Sequence, residues 1–314
     1  MKVVVSGGAG FIGSHVCDSL LARGHEVIAL DDLSSGNPAN LDARVRLARF
    51  DIRSPEAHKL IVDEKPQALM HLAAQMDVRR SVADPRFDAD VNVMGMINLL
   101  EACVKAGTKR VVFSSTGGAI YGEQDTFPAD ENHAKRPCSP YGVSKAAGEL
   151  YLNYFFQQYG LSYAALRYSN VYGPRQNPHG EAGVVAIFCS RLLEGRTCTI
   201  YGDGKQTRDF VYVADVAKAN VAALESDYVG AVNIGTGLET DVNELYTTLA
   251  QVAGLDVAAE HAPGKPGEQR RSCIDPALAK KLFGWSATVN LKDGLRETYG
   301  FFKAKHETPA RAAV

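Results

Sequence analysis

Four glycines within seven residues, placed where an apolar run ends and a helical pattern begins, constrain this chain more than any other feature. The segment reads Ser6-Gly7-Gly8-Ala9-Gly10-Phe11-Ile12-Gly13, and Gly8-x-Gly10-x-x-Gly13 lies within it. Residues without a Cβ permit a tight strand-to-helix turn and the close approach of a diphosphate, whose charge meets the free N–H groups of a helix start. Asp31 closes the next apolar run, 18 residues after Gly13. A carboxylate there accepts from both hydroxyls of an adenosine ribose and repels a 2′-phosphate, which favours NAD over NADP. Asp51-Ile52, after the third run, is placed to meet adenine.

The rhythm around this motif predicts an α/β fold, a doubly wound parallel-sheet Rossmann domain joined to a smaller α/β substrate domain. Strands are expected over 2–6, 26–31, 44–50, 68–72, 110–115 and 162–168, with helices over 12–22, 54–64, 91–106 and 141–159. The strands are continuous apolar runs, as when helices cover both faces of a parallel sheet. After residue 168 Gly and Pro become frequent and strands shorten. The expected division is a NAD-binding domain over 1–169, with 205–235 contributing back to it, and a nucleotide-sugar domain over 170–314. The 314 residues carry 34 basic and 36 acidic side chains, a net charge of −2, with no excess to suggest nucleic acid or a membrane surface. No apolar stretch is long enough to span a bilayer. Six scattered cysteines without Cys-x-x-Cys spacing fit free thiols in a reducing cytoplasm, and no metal site is expected.

Tyr141-Gly142-Val143-Ser144-Lys145 puts a phenol and an amine four residues apart, on one helix face. A free phenol ionises near pH 10 and is a poor base at neutrality, but an adjacent ammonium and a cationic nicotinamide favour the phenolate. The pair alone is a common coincidence. It gains meaning from Ser114-Ser115-Thr116-Gly117-Gly118, which ends a predicted strand where a hydroxyl faces the ligand crevice. Either Thr116 or Ser115 can serve as that hydroxyl, with Thr116 preferred.

Together these residues resemble the extended short-chain dehydrogenase/reductase family, and within it the UDP-glucose (UDP-galactose) 4-epimerases. The likeness spans nearly the whole chain. It includes the glycine segment through His15, Asp31-Asp32-Leu33-Ser34-Ser35-Gly36 and His71-Leu72-Ala73-Ala74-Gln75. It continues through Asn92, Tyr141-x-x-x-Lys145, Leu166 to Pro174 and Arg208-Asp209-Phe210-Val211-Tyr212-Val213. The resemblance implies catalysis by Thr116, Tyr141 and Lys145. It implies NAD contacts from Gly7, Gly10, Phe11, Ile12, Gly13, Asp31, Asp32, Ser35, Gly36, Asp51, Ile52, Leu72, Ala73, Ala74, Gln75, Asn92, Ser114, Ser115, Tyr141, Lys145 and Tyr168. Substrate contacts fall to Thr116, Tyr141, Asn170, Val184, Arg208, Glu268 and Ser272. Arg208 suits phosphate because its guanidinium fork is bidentate, and an ion pair with Asp203 or Asp209 is its alternative use. The small Ser272 stands at the position that gates the sugar 2-substituent, leaving room for an N-acetyl group.

The chain departs from the family at Gly183-Val184, where paired Asn residues are usual, and at Lys265, where an Arg often binds phosphate. The implied reaction is 4-epimerisation of a UDP-sugar (UDP-glucose/UDP-galactose, with N-acetyl forms) through a transient 4-keto sugar that turns about its diphosphate anchor. UDP-glucuronate 4-epimerisation is the nearest alternative. Dehydratases carry Asp-Glu after the catalytic Thr and decarboxylases a nearby Glu, whereas Gly117-Gly118 supply no carboxylate. A non-catalytic NAD-binding sensor is the alternative outside enzymes, and the retained Tyr and Lys argue against it. Apolar residues on several faces of 91–106 and 141–159, among them Leu99, Leu100, Val104, Leu150, Leu152, Phe155 and Phe156, suggest a four-helix contact, and the resemblance implies a homodimer.

Overall fold

The computed structural model describes residues 1–178, 183–264 and 269–311, without the side chains of 308–311. Its first part runs β1 (Lys2–Ser6), α1 (Phe11–Ala22), β2 (Glu26–Leu30), β3 (Arg46–Ala48), α2 (Pro55–Glu64), β4 (Ala68–His71), α3 (Val78–Ala83), α4 (Pro85–Ala89), α5 (Gly95–Ala106), β5 (Arg110–Thr116), α6 (Gly117–Ile120), α7 (Pro140–Tyr159) and β6 (Ser162–Tyr168). It continues through β7 (Asn170–Tyr172), α8 (Val184–Leu193), β8 (Thr199–Tyr201), β9 (Thr207–Arg208), β10 (Phe210–Tyr212), α9 (Val213–Leu224), β11 (Gly230–Ile234), β12 (Thr240–Asp241), α10 (Val242–Ala253), β13 (Glu260–Ala262), β14 (Arg271–Ser272), α11 (Ala277–Phe283) and α12 (Leu291–Arg311).

Seven parallel strands form the main sheet in the order β11-β6-β5-β4-β1-β2-β3. The chain leaves β1 toward β2 on one side and returns to β4 on the other. That reversal opens a crevice at the carboxyl ends of β1 and β4, where ligands of doubly wound sheets bind. Burial on both faces explains the unbroken apolar strands. Val3 and Val5 enter the core with Val16, Leu20 and Val216, while Val4 enters the opposite core with Ile28, Leu69 and Phe113. Beyond β6 the chain builds a second core around Phe188, Tyr246, Leu249 and Phe302. It comes back to the sheet through α9, which packs on α1, and β11, which pairs with β6.

Two elements differ from expectation. The third strand is only Arg46–Ala48, at the sheet edge, because Arg44 folds back onto Asp42 through its backbone N–H and guanidinium. The expected helix over 91–106 begins instead as a π-helical turn, Asp90–Met94, wedged between α4 and α5. Wide turns of this kind re-aim side chains at functional sites. Here the turn directs Asn92 into the interior. The apolar residues of this helical segment and of α7 divide between the sheet and the surface. Leu99, Leu100, Leu152 and Phe155 are buried against the sheet, leaving Leu150 exposed with Val143, Tyr154 and Met94.

Candidate active site

The glycine loop has no space for side chains. Gly7 takes a positive φ of 71°, and a Cβ on it would lie 2.7 Å from the Ala73 nitrogen. A Cβ on Gly13 would sit 2.0 Å from the Gly7 carbonyl oxygen. Gly10 occupies the cap position of α1 and offers no side-chain bond to the first turn. A helix start left uncapped beside a glycine cradle suits a diphosphate. Asp31 is buried, with Oδ2 accepting from Ala9 N at 3.0 Å and Oδ1 from Leu33 N at 2.9 Å. Burial pushes its carboxyl up, and the two backbone donors partly offset this. Gly36 lies against the same carboxylate, since a Cβ there would be 2.6 Å from Oδ1. Asp32 accepts from Ser34 instead, and Ser35 is exposed in the same loop. These features fit the adenosine and diphosphate half of NAD.

Asp51 and Ile52 are spoken for within the chain. Arg53 clamps Asp51 at 2.5 Å, and this ion pair holds the carboxyl below the usual range. Ile52 is buried against Gly95, and its carbonyl accepts from Asn98 at 2.7 Å.

The segment after β4 is held from both sides. Leu72 N donates to Ser6 O at 3.0 Å and Ala73 N to Ser6 Oγ at 3.3 Å. Ser6 Oγ bonds His71 Nδ1 at 2.7 Å, and burial pushes that imidazole down to about 3, so it is neutral. Past Ala74, Gln75 and Asn92 exchange reciprocal bonds of 2.8 and 2.9 Å between amide side chain and backbone. Both donate to the buried Asp88.

Tyr141 and Lys145 project from the first turns of α7, whose start is capped by Ser139. Lys145 Nζ donates to the Ser114 carbonyl at 2.8 Å and lies 5.7 Å from the Tyr141 ring centroid. Burial pushes the amine down to about 8, opposed by Asp88. The expectation of an acidified phenol is not met within the chain itself. Burial, and then Asp88, push Tyr141 above the usual tyrosine range. The ammonium is turned toward Ser114 and does not offset this.

Strand alternation separates the two candidate hydroxyls. Ser115 is buried on the far face of β5, where Oγ donates to Glu149 Oε1 at 2.7 Å. Glu149 also takes a bidentate bond from Arg167 and an ion pair from Lys135. The Ser115 side chain, expected at the cofactor, thus points away from the crevice. Thr116 ends β5 at the crevice, and a Cβ on Gly118 would lie 3.8 Å from both Thr116 Oγ1 and Asn170 Oδ1. Tyr168 is buried, with its hydroxyl donating to Asn220 at 3.0 Å, so it supports the crevice floor from within the core.

On the second body, Arg208 and Ser272 are direct partners across the parallel pair β9 and β14. Arg208 NH1 donates to the Thr207 carbonyl at 2.8 Å. The acids considered for an ion pair are engaged elsewhere. Asp203 binds Arg270, and the buried Asp209 accepts from Thr236 and Gly237. Val184 opens α8, and Ser272 is buried. Glu268 and Lys265 lie outside the described residues. Asp88, Glu149 and Asn220 belong to none of the motifs, and Arg167 lies in the Leu166 to Pro174 likeness without an assigned role. Only their polarity inside otherwise apolar elements could have flagged them.

Among the described residues no group of three His, Cys, Asp or Glu is gathered for a metal, and no helix is long and apolar enough to cross a membrane. Residues 3–235 match the model of the NAD dependent epimerase/dehydratase family. The chain is 45% identical over 313 residues to the UDP-glucose 4-epimerase of Mycolicibacterium smegmatis, covering 98% of this chain and 100% of that one. The Thermotoga maritima UDP-glucose 4-epimerase, solved with UDP-glucose, superposes with a TM-score of 0.95 at 46% identity, covering 97% of this chain and 99% of that one. The Thermus thermophilus UDP-glucose 4-epimerase in complex with NAD gives 0.91 at 46% identity, over 96% and 99% of the two chains.

Proposed function

The chain belongs to the NAD dependent epimerase/dehydratase family, and from that premise we propose that it inverts carbon 4 of a UDP-sugar, interconverting UDP-glucose and UDP-galactose and accepting N-acetyl forms. It is an NAD-dependent isomerase. The observation that supports this reading is Lys145 Nζ, bonded to the Ser114 carbonyl near the carboxyl end of β5 and 5.7 Å from the Tyr141 ring centroid. When bound, NAD supplies a two-electron acceptor for the hydrogen on sugar carbon 4 and later returns it.

The chain's own groups handle the proton and the geometry. With NAD bound, Tyr141 is favoured as its phenolate by the positive nicotinamide; it takes the proton of the 4-hydroxyl and gives it back after the ring has turned. Thr116 donates to the same sugar oxygen. Lys145 holds charge beside the phenol and fixes the nicotinamide ribose. Gly7, Gly10, Phe11, Ile12 and Gly13 cradle the cofactor diphosphate, and Asp31 with Gly36 takes the adenosine ribose. Asn170 and Arg208 anchor the substrate diphosphate firmly enough for the sugar to turn without leaving. Glu268 is assigned the uridine ribose and Ser272 the room beside the sugar 2-position.

Residues 1–169, with 205–235 returning, form the cofactor body in this reading, and 170–314 the sugar-nucleotide body. Exposed Val143, Leu150 and Tyr154 on α7, with Met94 beside α5, supply the face of a homodimer. Free Cys17, Cys103, Cys138, Cys189, Cys198 and Cys273 suit the cytoplasm. The test incubates the protein with UDP-galactose, UDP-N-acetylglucosamine or UDP-glucuronate and separates the products. Interconversion at carbon 4 without net NADH formation supports the reading; stoichiometric NADH formation or an unchanged UDP-galactose pool rejects it.

A further inference from the structure

Asp88 is a fully buried carboxylate at the seam between the segment after β4 and α7. Ser144 Oγ donates to its Oδ2 at 2.6 Å, and Asn92 Nδ2 and Gln75 Nε2 donate to Oδ1 at 3.0 and 3.2 Å. All three donors are neutral. Among the described residues no lysine or arginine forms a salt bridge with it, so this buried carboxylate is held by neutral hydrogen-bond donors. An asparagine would have nearly the same shape and could still bond these groups, without the cost of desolvating an anion. The charge therefore needs a reason beyond holding the loop to the helix.

Its location supplies one. Ser144 follows Tyr141 by three residues, on one face of α7, and directly precedes Lys145 along the chain. The carboxylate seated on Ser144 is thus one residue from Lys145 and within one helical turn of Tyr141 along α7, close enough to act electrostatically on both. The other groups around this face do not substitute for it. His71, from β4, is neutral and bonded to Ser6. Asp90, from the π-helical turn, is paired with Arg53, and Arg80 of α3 lies over the Phe87 ring at 4.0 Å on the outer side. Arg79 of α3 and Arg86 of α4 are exposed. Arg167 of β6 is taken by Glu149.

We propose that Asp88 is a positioning residue whose negative charge keeps Lys145 in its ammonium form and sets the proton affinity of the crevice, while its hydrogen bonds fix the Gln75 segment against α7. The directions at its neighbours agree: burial lowers the Lys145 amine to about 8 and Asp88 opposes it, while Asp88 adds to the upward push on Tyr141.

The activity arm of the test rests on the epimerase reading; a second arm does not. In the cofactor-free chain, lysine-selective carbon-13 NMR follows the Lys145 titration, assigned with Lys145→Arg. Asp88→Asn is expected to lower its midpoint by about one pH unit, the size of effect a nearby buried charge exerts. Ser144→Ala, which removes a hydrogen bond and keeps the charge, should leave the midpoint in place. In the NAD-loaded enzyme the alkaline limb of kcat should move toward acid in Asp88→Asn and stay fixed in Ser144→Ala. Should Asp88→Asn not fold, Asp88→Ser removes the same charge and carries the same expectation. An unmoved Lys145 midpoint in a folded, charge-free variant overturns the proposal. A wild-type chain that converts no UDP-sugar, with the Lys145 midpoint still lowered in Asp88→Asn, overturns the epimerase reading alone.

Discussion

Ser115 Oγ and Glu149 Oε1 lie 2.7 Å apart, inside the buried cluster that also holds Arg167. Because Thr116 is the next residue of β5, it faces the opposite way, toward the crevice. Two neighbouring hydroxyls therefore have separable effects. Thr116→Ala should lower kcat by about a hundredfold, the scale of losing one donor to the reacting oxygen, and leave Tm unchanged. Ser115→Ala should retain kcat and cost about 1.5–3 kcal/mol of stability through the lost bond to a buried carboxylate. Steady-state rates and thermal melts on the two proteins check this; a larger rate loss in Ser115→Ala would reverse the assignment.

Tyr141 and Lys145 give a pH dependence with a definite sign. The amine titrates at about 8, below an ordinary lysine, because burial disfavours its charged form. Its cation is present below that pH, so turnover should fall as pH rises through about 8. Stability moves the other way. Between about 8 and the unfolded lysine value near 10.5 the unfolded chain holds the extra proton, so this residue's contribution to stability rises with pH there. Tyr141→Phe should reduce kcat by about 10²–10⁴-fold at every pH and retain bound NAD. A variant that turns over like the parent would remove the phenol from the mechanism.

Ser272 is buried beside Arg208 in the β9–β14 pair, and in the proposed reading Arg208 anchors the substrate diphosphate. Ser272→Tyr should leave UDP-glucose and UDP-galactose conversion largely intact and suppress conversion of the N-acetyl forms. The ratio of kcat/KM values for the two substrate classes is the measurement. An equal change in both would show that residue 272 does not gate the 2-position.

Much of this site was readable before the fold, for a physical reason. The glycine segment, Asp31 and the Tyr141–Lys145 spacing act through local geometry, one turn or one helix face at a time, and local geometry is encoded in adjacent residues. Ser115 and Thr116 could not be separated, since that choice depends on which way β5 presents each side chain. Asp88 escaped notice because its partners Gln75, Asn92 and Ser144 come from three different segments. Which apolar residues face the core and which the surface could not be read one by one either. Leu99 and Leu152 look no different in sequence from Leu150, yet the first two are buried and the third is exposed. The π-helical turn at Asp90–Met94 left no local mark, since its width serves the bond between Asn92 and the distant Gln75.

The glycine cradle makes the last prediction the strictest. A methyl group on Gly13 would approach the Gly7 carbonyl oxygen to 2.0 Å, and neither atom can yield without moving the turn between β1 and α1, the proposed diphosphate cradle. Gly7 has no slack of its own, being pressed against the Ala73 nitrogen in a left-handed conformation. Gly13→Ala should therefore emerge without bound NAD and with a lowered Tm. Gly24 offers the matched control, with a φ of 75° close to that of Gly7 and nothing within 4 Å of where a methyl group would stand. Gly24→Ala bears only the left-handed backbone cost of about 1–2 kcal/mol, so it should lose stability yet keep its NAD. Absorbance of the cofactor released on denaturation, compared between the two proteins, decides the matter. Equal cofactor content in both would mean that the close packing at Gly13 does not shape the diphosphate site.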